Sequence, residues 1–410
     1  MKRQVYYRIE MQLASPLSVG SGRNETTAHD IVRDKHGKPY IPASSIAGVF
    51  RHTLDDDIAL QNRVFGMTSG NDSVSSRVVF YDGKLVFESA ESVRDSVKLN
   101  EKVGVDGAKF DMETIETGSI FSTIIEIADD AESVDSVVEK MISKLKAGVL
   151  RFGSKTSRGY GVVRISSLKK CVFESDQLDE WLDFDPLDDK SWNGIDEYDL
   201  SDDLTGYSKI SLHLMHNGAI SIREYSTDVG ENGETLPDFK HISLHDKSEV
   251  SVIPGTSWAG AFRARFLDFA GQVATDALFG YVNEKNKANP SNKSRIIFSE
   301  SVISDNLLKT MTRNSIDRFS AATKETALYT ERTSYNGFTD LTIYLADDAT
   351  EKERAALGAI ILDMNHGFLS IGGLTSVGRG MFRVIDLSVN GIDKSSMLDT
   401  ENVAQLLEVK

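Results

Sequence analysis

At 410 residues the chain is long enough for two domains of ordinary size, and its 40% hydrophobic and 26% charged residues are those of a globular protein. It has no uncharged apolar run of the roughly 18 residues a membrane span needs and no legible leader, so a cytoplasmic location without a membrane partner is expected. The single cysteine, Cys171, excludes a disulfide framework and a cysteine-based zinc site. The net charge of −16 argues against a nucleic-acid partner only until it is located: 13 acidic residues and one basic residue, Lys190, lie between Cys171 and Thr205, so that segment contributes −12 and leaves −4 for the rest.

The chain opens on a strand, because Val5, Tyr7, Ile9, Met11 and Leu13 alternate with Tyr6, Arg8, Glu10 and Gln12. A loop follows with Pro16-Leu17, Gly20-Ser21-Gly22 and His29-Asp30-Ile31-Val32-Arg33-Asp34. After Pro42 the pattern predicts a helix capped by Ser44 or Ser45, with Ile46, Val49, Phe50 and Leu54 on one face and Arg51 just after it. Strands are predicted at 78–81 and 119–127, separated by a variable segment. Val134, Val137, Val138, Met141, Ile142 and Leu145 mark a second helix, a glycine-rich loop follows, and a closing strand runs through 162–165. The acidic stretch from 170 to 206 reads as a connector with decoration.

Past the connector the same elements return. Ile210, Leu212 and Leu214 repeat the first strand, and Ile41 to Arg51 matches Ile253 to Arg263 at an offset of 212. Phe65-Gly66 then meets Phe279-Gly280 at 214, Arg77 to Phe80 meets Arg295 to Phe298 at 218, and Phe152 to Gly161 meets Ile371 to Gly380 at 219. Four segments in one order with slowly growing offsets indicate a duplicated domain. The division is 1–169, a connector at 170–206, 207–393, and a tail at 394–410. Strand-helix-strand twice per copy predicts an α+β fold of two ferredoxin-like (RRM-like) βαββαβ domains, whose sheet is a frequent nucleic-acid platform.

The chemistry sits in the repeated pieces. Gly153, Gly159 and Gly161, and in the second copy Gly372, Gly373, Gly378 and Gly380, permit close backbone approaches; with Lys155, Arg158 and Arg379 among them, such loops can present N–H groups and cations to phosphates. The alternative is a tight turn before a strand. A phosphate-binding loop of the nucleotide-hydrolase type fails, because Ser154 stands where its lysine belongs. Arg51 and Arg263, with Ser44, Ser45, Thr256 and Ser257 at the helix starts, are candidates for the RNA backbone, against a structural ion pair for the arginines. Asp30 and, as a fallback in the second copy, Asp238 are candidate catalytic carboxylates, and Asp30 a candidate metal ligand. The aligned Asp34 and Asp246 read as turn caps. His29 and His241 are accessory acid-base candidates or hydrogen-bonded loop histidines.

These motifs resemble the RAMP superfamily, carried by Gly20-Ser21-Gly22 after Pro16-Leu17, by Asp30 to Asp34, by Gly37 to Gly48 and by the terminal glycine loop, once per copy. More narrowly they resemble the backbone subunit of type III CRISPR effector complexes. That resemblance implies a protein that binds guide RNA, organises its pairing with complementary target RNA, and assembles with other CRISPR effector subunits. It implies hairpin "thumbs", expected at 103–118 and 314–337, and target cleavage at a loop aspartate, Asp30, with a divalent Mg or Mn ion if the site is active. The alternatives are a purely structural RNA-holding subunit and a guide-processing endoribonuclease using His29 or His241.

Overall fold

The computed structural model describes residues 3–22, 30–69, 72–100, 103–128, 132–225, 237–244, 249–282, 291–399 and 403–408. It divides into two compact units: Met1–Thr156 with Tyr160–Thr205, and Ser157–Gly159 with Gly206–Lys410. Among the described residues no helix is long and apolar enough to cross a membrane.

In the first unit β1 (Gln4–Leu13) is central. After it come α1 (Ala43–Arg51), β2 (Val78–Phe80), β3 (Glu91–Asn100), β4 (Val103–Ile115), β5 (Ile120–Ile127), α2 (Glu132–Lys146) and β6 (Val163–Phe173). The sheet runs β6-β1-β5-β2, antiparallel throughout, so β1 and β2 flank a strand that comes later in the chain. The alternation read in the sequence holds: Val5, Tyr7, Ile9, Met11 and Leu13 are buried against Ile46 and Phe50 of α1 and Val134, Val138, Met141, Ile142 and Leu145 of α2. Neither Ser44 nor Ser45 caps α1. The helix starts one residue earlier, at Ala43 after Pro42, and the Ala43 N–H donates to the Asp82 carboxylate at 2.7 Å instead.

The closing strand is longer than 162–165 and carries the chain into the acidic segment, which is folded rather than a free connector. Trp192 is buried with Tyr6, Ile124 and Phe173 on the face of the sheet opposite α1 and α2, and Trp181 and Phe184 pack against that cluster. The Trp181 indole N–H donates to the Tyr6 hydroxyl (3.0 Å) and the Trp192 indole N–H to the Pro186 carbonyl (3.0 Å). This face of the first sheet is therefore covered by the most acidic stretch of the chain and is no platform for a polyanion.

The second unit repeats the plan with β7 (Tyr207–His216), β8 (Arg223–Tyr225), β9 (Phe239–His241), α3 (Gly255–Phe279), β10 (Ile296–Ser299), β11 (Leu307–Arg313), β12 (Tyr329–Tyr335), β13 (Phe338–Ala346), α4 (Glu351–Asn365) and β14 (Phe382–Val389). Its sheet order, β14-β7-β13-β10, corresponds strand for strand to the first, again antiparallel. Even the irregularities correspond: β1 slips against β6 between Glu10 and Met11, and β7 against β14 between His213 and Leu214, the same step of the first strand. Trp258, Phe262 and Phe266 of α3 fill the core, and α3 is broken at Gly271 (φ 76°). Beyond β14, Leu406 and Leu407 are fully buried in this core.

Each unit also carries a hairpin. β3 and β4 pair antiparallel, as do β11 and β12, so both begin earlier than 103 and 314. β9 lies parallel to β12 and antiparallel to β8, extending the base of the second hairpin into a small sheet of its own.

Candidate nucleic-acid interface

The glycine loops are built from the inside. Gly153 has φ +78° and a Cβ there would lie 2.3 Å from the Ser18 carbonyl oxygen; at Gly161 it would lie 1.8 Å from that of Phe152. The second copy repeats this at Gly372 against Ser221 (2.9 Å) and Gly380 against Ile371 (1.8 Å). Their amides are spent on the chain itself: Ser154 N–H donates to Ser18, Gly161 to Pro16, Gly373 to Ser221 and Gly380 to Ala219. Arg151, which the repeat did not single out, is buried and donates to the carbonyls of Gly148 and Thr156. These positions make turns, and what the loops offer to a ligand is confined to their tips.

The two tips differ. The second unit takes in Ser157–Gly159, where Arg158 and Gly159 pair in parallel with Phe298 and Ser299 of β10. The start of α3 is adjacent: a Cβ on Gly255 would meet the Arg158 carbonyl oxygen at 2.5 Å, which accounts for glycine here where the first copy has Ala43. The Arg158 side chain stays exposed, and the surrounding protein together with the like charge of Arg263 lowers its pKa. Among the described residues it has no ion pair or side-chain hydrogen bond. Arg263 itself donates to Asp276 (2.7 Å) and the Gly280 carbonyl (2.8 Å). Thr256 and Ser257 are half-buried in the first turn of α3, and Ser44 is exposed and Ser45 half-buried at the matching place in α1. Arg51 is exposed at the end of α1. Lys155, with φ +52°, stands 4.5 Å over the Phe110 ring and 5.6 Å from that of Tyr160.

Arg379 is placed differently from its aligned loop. It is 4% exposed and donates to both oxygens of the fully buried Glu331 on β12, at 2.5 and 3.1 Å. Burial alone would raise the Glu331 pKa, but Arg379, with Arg313 and Arg223 further off, holds it below the ordinary carboxylate value. So one carboxylate faces three guanidiniums, Arg313 at 3.4 Å and Arg223 at 3.8 Å being the outer two. At the base of the first hairpin Arg33 lies between Glu91 and Glu113, and Arg94 is buried with Glu116, so acids outnumber arginines.

Among the acids, Asp30 is half-buried on a two-residue strand opposite Gly22, and the next residue, Ile31, donates its N–H to Glu113 (2.9 Å). The Asp238 carboxylate accepts the Thr330 N–H at 2.7 Å, tying β12 to the segment before β9. Asp34 accepts the N–H groups of His36 and Lys38, and the Lys38 bond first among these lowers its pKa. His29 and Asp246 lie outside the described residues. Among the described residues no three His, Cys, Asp or Glu side chains converge as a metal site requires.

His241 is 3% exposed; its Nδ1 accepts the Ile222 N–H (3.2 Å) and its Nε2 lies 3.0 Å from the Val252 carbonyl, so neither nitrogen is open for proton transfer. Burial pulls its pKa down to about 4. The fold thus holds the neutral ring, and the unfolded chain takes up the proton first. Stability conferred by the neutral ring is complete above pH of roughly 6.5 and is lost as pH falls toward 4, by about 3 kcal/mol. Denaturant titrations at pH 7 and 4.5 should show that loss in the wild type and much less of it in His241→Gln.

A family model described as the RAMP superfamily matches residues 10–164 and 239–383, one stretch in each copy of the duplication. No curated protein matches the chain.

Proposed function

The chain belongs to the RAMP superfamily, which includes CRISPR RNA-binding subunits, and from that premise we propose that it is a tandem guide-RNA-binding backbone subunit of a type III CRISPR effector complex. Both units are read as ferredoxin-like domains, with β3–β4 and β11–β12 as the hairpins that shape the guide–target duplex. The observation that carries the reading is Arg158: an exposed residue that feels the like charge of Arg263, lacking an ion-pair partner among the described residues, on a segment whose backbone meets the start of α3. A cation held next to a like charge is stabilised by an anion arriving from outside, and RNA phosphate is the anion the family binds. Arg51 and Lys155 continue the same function in the first unit.

Short discrete RNAs should co-purify with the assembled complex, and an assembly free of RNA would refute the reading. Arg158→Ala should weaken binding of single-stranded RNA roughly tenfold and reduce the slope of affinity against salt by about 1. We assign target cleavage to Asp30, with Asp238, whose carboxylate accepts the Thr330 N–H, as the fallback in the second unit. Asp30→Ala should abolish guided cutting while leaving RNA bound; cutting unchanged by both Asp30→Ala and Asp238→Ala would leave a subunit that only holds RNA.

A further inference from the structure

The glycine loop that ends each copy is filled in one case and bare in the other. In the second unit Ser157–Gly159 runs along β10, with Arg158 and Gly159 paired in parallel to it, and the Phe298 N–H donates to the Ser157 carbonyl at 3.0 Å. Gly159 is buried with φ +96°, and a Cβ there would come within 3.0 Å of the Gly255 Cα and the Glu300 nitrogen. The second copy's own loop has Thr375-Ser376-Val377-Gly378 for Thr156-Ser157-Arg158-Gly159. Its backbone matches as well, with Leu374 at φ +56° for Lys155 at +52°, and Gly378 at +83°. Yet Ser376, Val377 and Gly378 are exposed, and nothing lies within 4 Å of a Cβ on Gly378. Phe368, at the start of this loop, is 74% exposed where the first copy buries Val149.

A preformed loop tipped by valine instead of arginine suits a protein surface and not a phosphate. What it requires is visible in the filled example. One requirement is an edge strand open to parallel pairing. The other is a helix that begins with glycine, because a Cβ on Gly255 would lie 2.5 Å from the Arg158 carbonyl oxygen. The first unit meets one requirement and fails the other. Its β2 pairs only with β5 among the described residues, which leaves the outer edge open, but α1 begins with Ala43. We propose that the loop at 375–378 docks on a different subunit, one with an open edge strand and glycine at that helix start, and that Ala43 excludes a second copy of this chain. Assembly at this end is thereby kept heterotypic and does not run on as a filament of one chain. The inference stands on the duplication and is independent of RNA binding.

The test is sedimentation equilibrium of the full chain without RNA. The parent should be a monomer. A double variant, Ala43→Gly with Val377→Asp, has the helix start opened and the loop spoiled. Alone it should also be a monomer, but mixed with the parent, which supplies the loop, it should form a one-to-one complex of doubled mass. The second copy already carries glycine at this place and Val377 is exposed, so the variant should fold, and circular dichroism checks that it does. The complex should be lost when the parent is replaced by Val377→Asp. A parent that self-associates and is dispersed by Val377→Asp would show that Ala43 is no barrier and overturn the proposal. A folded double variant that takes up no parent chain overturns it too, as does a complex that survives Val377→Asp in both partners.

Discussion

Replacing Glu331 with glutamine should cost the second unit about 3–5 kcal/mol, a large share of the roughly 5–15 kcal/mol by which folded proteins are ordinarily stable. The arithmetic is that of a buried ion pair broken from one side. Glu331 has no solvent exposure and Arg379 only 4%, so removing the negative charge leaves a guanidinium that is neither paired nor hydrated. Glutamine preserves the shape but offers a single acceptor, and its amide N–H groups point at donors. Removing both charges should be milder than removing one, so Glu331→Gln with Arg379→Met should recover part of the loss. Because the native Glu331 pKa is depressed, its contribution is present above the ordinary carboxylate range and is lost as pH falls through the native value. Hydrogen exchange of β13, whose Leu341, Ile343 and Leu345 are core residues, reads the second unit without interference from the first. A variant within about 1 kcal/mol of the parent would show that the pair is dispensable.

That pair also shows where sequence reading stops. The alternation of β1, the helix faces and the duplication were legible, because each is a local pattern or a direct comparison of two stretches of one chain. The partners of charged residues were not. Arg379 looks in the alignment like the cation of a glycine loop, and only the strand β12, some 48 residues upstream, reveals that its fork is occupied. Arg263 likewise sits where Arg51 does, yet Asp276 has no equivalent partner in contact with Arg51 among the described residues. The acidic connector shows the same limit: its charge reads as linker plus decoration, and the role of Trp181, Phe184 and Trp192 within it, which supply the apolar side that folds it onto the sheet, is legible only in the structure. Asp30 stays a sequence-derived candidate, its neighbours at 23–29 lying outside the described residues. The cluster of Arg223, Phe239 and Tyr329 had no sequence signal, since these residues come together through a parallel pairing of β9 with β12.

The glycine loops permit a sharper division between architecture and grip. Gly161→Ala and Gly380→Ala should each destabilise their own unit by about 4 kcal/mol or more, because the new Cβ would lie 1.8 Å from a carbonyl oxygen in a backbone already at φ +72° and +69°. Relief requires moving the turn, and the turn is tied down: Phe152 N–H donates to Gly161 and Gly161 N–H to Pro16, with Ile371, Gly380 and Ala219 repeating the arrangement. Gly378 lies only two residues before Gly380 but has nothing within 4 Å of a Cβ, so Gly378→Ala should cost only the left-handed conformation, about 1–2 kcal/mol. Arg158→Ala, at an exposed tip, should change stability by less than about 0.5 kcal/mol while weakening RNA binding. Thermal unfolding of the four variants beside an RNA titration separates the two roles. If Gly161→Ala and Gly380→Ala folded normally and lost only RNA, the turn geometry shared by the two copies would be serving the ligand directly; if they unfold while Arg158→Ala binds poorly as a folded protein, the glycines hold the loop and the arginine at its tip holds the RNA.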